Sequence, residues 1–310
     1  GQTCLNMFYF GALKYAEKIF LELCDNKEAA VCAEKRGNIK TAVNEILFDS
    51  EKGIYFMGLN TPTKEELVAD WKWMPQNTDK RYYLKHANVL AAYVGICDDA
   101  LAKELIRKVM DDEIEGDCQP YFLHYLLEAV YRLDLCNKYT LKIINRWKEP
   151  VRECSKGLVE GFLPPEPTYS FDHSHAWGGT PLYSLPKALT GLEIIEPGMK
   201  EIALSPSLLG LNNATAEFIT PYGKVICKMK AGEEPEIQKA GAMFFEIGIY
   251  LEVKFKAHLF NIDKLTYNPT LYENLWPIYS VGHQENVFEF EDCDKKKEEA
   301  LKELEDLLND

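Results

Sequence analysis

The densest chemistry in the sequence lies between Gly157 and Gly179, where Glu160, Glu166 and Asp172 share a short stretch with His173, His175, Phe162, Tyr169, Phe171 and Trp177. Three prolines, Pro164, Pro165 and Pro167, prevent the middle of this stretch from forming one regular element. A long, chemically dense loop between packed helices is usually functional. Aromatic faces stack on the C–H surface of a sugar while carboxylates and imidazoles bond its hydroxyls. Two carboxylates could then divide the work of glycosidic hydrolysis, one protonating the leaving oxygen and one activating water.

Competing chemistries find less support. His173 and His175 have metal-pair spacing, but no third ligand stands at standard spacing, so no metal and no other cofactor is expected. No glycine-flanked elbow surrounds any serine, and Gly178-Gly179 lacks both the dinucleotide spacing and a phosphate-binding lysine. Ser174 reads as a cap for a helix starting near Ala176. A second aromatic–acid cluster, Asp70-Trp71-Lys72-Trp73, could form a carbohydrate platform or seal a helix junction. His86 reads as a core histidine, and Asp98-Asp99 and Asp111-Asp112 as charges at helix ends.

The elements that must position these groups change character near residue 190. Before it, apolar residues recur at three- and four-residue steps. Helices are predicted near residues 5–23, 28–47, 81–96, 99–110, 120–133, 138–148 and 176–189, joined by short connections that favour antiparallel hairpins. After Gly191, alternating runs at 200–205, 215–220 and 224–230, and a longer pair at 244–256, predict strands. Helices followed by strands make a mainly α chain with a β-sandwich-like domain.

The 310 residues carry 35 basic and 49 acidic side chains, a net charge of −14 that disfavours nucleic acid and anionic membranes as partners. Half of that charge sits in residues 285–310, where 11 acidic residues face 4 basic ones. There Asp294 could cap an amphipathic helix with a stripe of Leu301, Leu304, Leu307 and Leu308, either docked on the surface or forming a homodimer through the C-terminal helix. The nine cysteines show no CxxC pair and mostly lie in helical patterns, so reduced thiols and a cytoplasmic setting are expected. No apolar run approaches a bilayer span, and the opening residues have no leader-like pattern.

The run His175-Ala176-Trp177-Gly178-Gly179-Thr180-Pro181-Leu182-Tyr183-Ser184-Leu185 resembles bacterial α-L-rhamnosidases of glycoside hydrolase family 78. So does Leu189-Thr190-Gly191-Leu192-Glu193-Ile194-Ile195-Glu196-Pro197-Gly198-Met199. The segments Leu204–Leu211 and Thr220–Val225 are similar to the family's C-terminal β-sandwich, and His86–Ala91 and Pro120–Phe122 to inner helices of its six-hairpin (α/α)6 barrel. The resemblance implies a partial barrel over 1–190, a β-sandwich-like domain over 191–258 and an extension over 259–310 holding the acidic helix.

It also implies hydrolysis of terminal α-L-rhamnosides with inversion, the two carboxyls being roughly 6.5–9.5 Å apart. Glu160 is the positional match for the general base, with Glu153 and Glu166 as alternatives. His175 matches a histidine at the rhamnose subsite, and Trp177, Asp172 and His173 complete the candidate sugar-binding set. The family's general acid lies in an Asp/Arg/Glu-rich motif ending Gly-Asp, which this sequence lacks, so the chain alone is expected to be inactive or feeble. The alternatives are a non-catalytic carbohydrate-binding or assembly protein on the same scaffold, or another six-hairpin glycosidase.

Overall fold

The computed structural model describes residues 2–59, 81–153, 158–162, 174–199, 201–221, 223–233, 236–240 and 250–253. Glu166, Asp172, His173, the Asp70–Trp73 cluster and the acidic C-terminal segment lie outside the described residues. The protein is mainly α with some β, and it divides into two compact units at residues 118 and 119.

The first unit holds α1 (Thr3–Glu22), α2 (Asn26–Ile46), a small hairpin of β1 (Phe48–Asp49) and β2 (Ile54–Tyr55), α3 (Lys85–Val94) and α4 (Asp99–Met110). Helix α1 ends where Cys24 adopts a left-handed φ of 57°, and the Asp25 carboxylate then caps α2 by accepting from Glu28 N at 3.2 Å. Asp98 caps α4 in the same way through Leu101 N at 2.8 Å, so the acidic pair there is a helix start, as its position suggested. Helix α3 is buried from Ala87 to Ala92. Within it the fully buried Asn88 clasps the hairpin, its Oδ1 accepting from Tyr55 N at 2.8 Å and its Nδ2 donating to Tyr55 O at 3.1 Å. His86 is half-buried, and burial, aided by the Lys85 charge and opposed by that of Asp117, leaves its imidazole below the ordinary value.

The second unit begins with α5 (Pro120–Arg132) and α6 (Cys136–Ile144), then α7 (Lys148–Glu153) and α8 (Thr180–Thr190). Pro120 opens α5 at a position whose N–H would have no intrahelical partner, and Gly191 closes α8 in the left-handed region. No other residue fits at Gly191, because a Cβ there would stand 2.2 Å from the Ser205 carbonyl. Strands follow: β3 (Glu193–Ile194), β4 (Glu201–Leu204), β5 (Asn213–Thr220), β6 (Gly223–Lys230), β7 (Glu236–Ala240) and β8 (Tyr250–Val253). They form two three-stranded sheets, β5-β6-β7 and β3-β4-β8, and β8 pairs with β4 in parallel.

Alternation along β5 and β6 puts Ala216, Cys227 and Met229 on one face, where they pack with Ala188 and Leu189 of α8. Burial pushes the Cys227 thiol up to about 11, so it behaves as a small hydrophobe. Cys4, Cys32, Cys97, Cys118 and Cys136 are likewise thiols outside any disulfide, but Cys24 is disulfide-bonded. The expectation of reduced thiols fails there, and the reason is placement: Cys24 stands in the tight turn after α1 rather than on a packed helix face. Among the described residues no helix is long and apolar enough to cross a membrane.

Candidate active site

The second unit builds the site where the chain entering α8 meets the segment carrying Glu160. A 3-10 turn, Ala176–Gly179, precedes α8. His175 N donates to Leu158 O at 2.8 Å, and Gly178 N donates to His175 O at 2.9 Å. His175 occupies the capping position of this turn and makes no side-chain cap bond. Ser174 therefore does not cap it, because the capping position falls on His175, one residue later. Gly178 allows that segment to come close, since a Cβ would lie 2.5 Å from the Val159 carbonyl. The buried Trp147 indole fixes the same turn from beneath, its Nε1 donating to Gly178 O at 3.0 Å.

Trp177 is thereby turned outward. Its Nε1 donates to the backbone carbonyl of Glu160 at 3.3 Å, and its ring lies 3.9 Å from that of His175 and 5.3 Å from that of Tyr121. Tyr121 and Tyr125, one turn apart on α5, share a hydroxyl–hydroxyl hydrogen bond of 3.0 Å. Trp177 is 41% exposed and Tyr121 46%, enough for both to present ring area to a ligand. Of the expected site residues, the structure brings Glu160, His175 and Trp177 together. Glu153 ends α7, and the other three lie outside the described residues.

Sequence reasoning missed the neighbouring groups. Phe162 packs edge-on to Trp147 at 4.9 Å under the Arg146 guanidinium, and its N–H donates to Gln119 Oε1 at 2.7 Å. Lys187 Nζ meets Glu128 Oε2 at 2.7 Å in a largely buried pair, with the Tyr131 and Tyr183 rings against the ammonium. Burial pulls Lys187 down, but its hydrogen bond to Glu128 outweighs this and leaves the ammonium above its usual range. His124, 6.2 Å from Tyr183, is held below its ordinary value, chiefly by burial and also by Lys187, against the pull of Glu128. It is therefore neutral at pH 7. The four-residue steps Tyr121/Tyr125 on α5 and Tyr183/Lys187 on α8 were the available signal.

These groups can stack a ring on Trp177 and Tyr121 and bond hydroxyls through His175 and the tyrosines, with the Glu160 backbone held against the Trp177 indole. Among the described residues no group of three or more His, Cys, Asp or Glu is placed to hold a metal ion.

The fold is that of α-L-rhamnosidases, a glycoside-hydrolase fold of mainly helical build with some β. The chain is similar to the family 78 rhamnosidase of Bacillus sp. GL1, with a TM-score of 0.63 at 16% identity over 82% of this chain and 26% of that one. The α-L-rhamnosidase from Dictyoglomus thermophilum matches with a TM-score of 0.55 at 15% identity, over 72% and 24%. The Streptomyces avermitilis α-L-rhamnosidase complexed with L-rhamnose matches at 0.50 and 14%, over 73% and 21%. The chain thus spans about a quarter of the length of these proteins. No protein-family model matches it, and no curated protein does.

Proposed function

We propose that this chain carries the sugar-stacking wall and the general base of an inverting glycoside hydrolase acting on terminal α-L-rhamnosides. The observation that carries this reading is the Trp177–Tyr121 pair, with His175 stacked behind it and the Glu160 backbone tied to the Trp177 indole. The likeness to rhamnosidases, one of them crystallised with L-rhamnose, supports the choice of sugar. In this reading Glu160 takes the proton of the attacking water, while His175, Trp177, Asp172 and His173 hold the ring. The general-acid motif is not among these 310 residues, so the wall and the base are what this chain supplies.

Two measurements test the proposal. Saturation-transfer NMR on this chain should detect L-rhamnose at Trp177, and Trp177→Ala should weaken the signal. Release of p-nitrophenol from its α-L-rhamnoside, by the chain joined to a general-acid-bearing segment, should fall about 10²–10⁴-fold in Glu160→Gln. Turnover unchanged in that variant removes Glu160 from the base role. Cleavage of a different glycoside alone overturns the substrate and leaves the fold. Rhamnose binding with no turnover by any form favours a non-catalytic carbohydrate-binding protein.

A further inference from the structure

Helices α5 and α8 run side by side in the same direction, because their contacts advance together along both. The Tyr121 ring lies 5.3 Å from Trp177, the His124 ring lies 6.2 Å from Tyr183, and Glu128 meets Lys187 at 2.7 Å. One turn further on, the Tyr131 hydroxyl donates to Leu192 O at 2.8 Å. Residues 121, 124, 128 and 131 form one stripe of α5, at steps of three and four. The C-terminal end of the stripe is closed by the Glu128–Lys187 ion pair. Its N-terminal end is exposed, with Tyr121 at 46% and Tyr183 at 55%. The ring surface there is continuous, since Tyr125 stands 5.6 Å from Tyr121 and 5.2 Å from His124. Trp177 and Tyr121 occupy only its beginning.

Resting on the rhamnoside reading above, we propose that Tyr183, with His124 beside it, forms a second subsite for the neutral sugar to which a terminal rhamnose is linked. From Tyr121 to His124 is about 4.5 Å along α5, at 1.5 Å per residue, a step comparable with one sugar ring. Tyr183 offers an exposed ring for stacking against the C–H face of that sugar. His124, kept neutral at pH 7 chiefly by burial, offers hydroxyls one donor and one acceptor nitrogen. Pro186 adds an acceptor. It has no N–H, so the Leu182 carbonyl lacks its helical partner in the exposed first turn of α8. The ligand is neutral because the charges beneath are already paired. Lys187 is committed to Glu128 and to the Tyr183 hydroxyl, and a charged group would have to break a buried ion pair. Another helix is the poorer occupant, since this surface carries three phenols and an imidazole rather than an aliphatic stripe.

The test is an NMR titration of the full chain with L-rhamnose, with rutinose (a rhamnosyl-glucose disaccharide) and with p-nitrophenyl α-L-rhamnoside. Rutinose should bind several-fold tighter than L-rhamnose. Tyr183→Ala should remove that advantage, whereas Tyr183→Phe, which keeps the ring, should retain it. Trp177→Ala should weaken both ligands and leave the advantage in place. The Tyr183 ring resonances of the unaltered chain should shift with rutinose and not with L-rhamnose, which reads the contact without any variant. Equal affinities for the two sugars, unshifted Tyr183 resonances, or an advantage that survives Tyr183→Ala overturns the subsite. A gain shown by the p-nitrophenyl glycoside and absent for rutinose also overturns it, because the surface then takes a flat aryl group. Binding of L-rhamnose with no gain for rutinose leaves the proposed function standing, and binding of neither sugar removes both.

Discussion

Gly178 does its work by lacking a side chain. The Val159 carbonyl stands 2.5 Å from where its Cβ would be, and the Val159–Glu160 backbone is what carries the candidate base. Gly178→Ala should push that segment away, costing about 1–3 kcal/mol as other overpacking changes do. Chemical denaturation would measure the loss, and the emission of Trp177, whose indole is bonded to the Glu160 carbonyl, should shift with it. Trp177→Ala is the opposite kind of change. The indole is partly exposed and its hydrogen bond is long, so stability should hardly move. Loss of the stacking ring should weaken rhamnose binding by about 0.5–1.5 kcal/mol, or roughly 2- to 12-fold, in an NMR titration. His175 and Trp177 were legible as residue types in an unusual loop. Their partner Tyr121 was not, because a ring contact across 56 positions is made by two helices meeting and leaves no local pattern.

At the scale of elements, α5 and α8 are locked by one ion pair. Glu128 and Lys187 are each less than a fifth exposed and lie 2.7 Å apart. Glu128→Gln leaves an ammonium buried against the Tyr131 and Tyr183 rings without its counter-charge, at a cost of about 3 kcal/mol. Replacing both partners, as in Glu128→Leu/Lys187→Met, should recover most of that loss, since no uncompensated charge remains. A double-mutant cycle in urea would read the two against each other. The helices themselves were legible because periodicity and caps are local. Residues 99–110 were located to the residue, and Asp98, read only as a charge at a helix end, proves to be the cap. The hairpin strands β5 and β6 were legible for the same reason, through their alternation. The parallel pairing of β4 with β8 was not, because those strands are more than 45 residues apart and nothing in either specifies its partner.

For the molecule as a whole, acid stability follows from two histidines, one in each unit. His86 and His124 both have imidazoles lowered by burial. The unfolded chain binds protons at these sites from about pH 6.5, the ordinary imidazole value, while the folded chain still does not. Between that pH and the lower folded values the unfolded state holds more protons, so the slope of unfolding free energy against pH is positive and stability falls with acidification. Asp49, Glu104 and Glu113 act in the same direction at lower pH. Their hydrogen bonds, to Tyr83 for Asp49 and to Arg107 for the two glutamates, hold them below the usual carboxylate range. Stability present above the unfolded carboxylate values is lost as pH falls through the folded ones. Acidification should therefore destabilise the chain in two stages, the histidines acting first. Urea unfolding across pH 4.5–7.5, followed by Trp147 fluorescence for the second unit, should show the first stage flattened in His124→Phe. A decline of equal slope in that variant would place the loss on other groups, and His86→Phe would then be the informative comparison for the first unit.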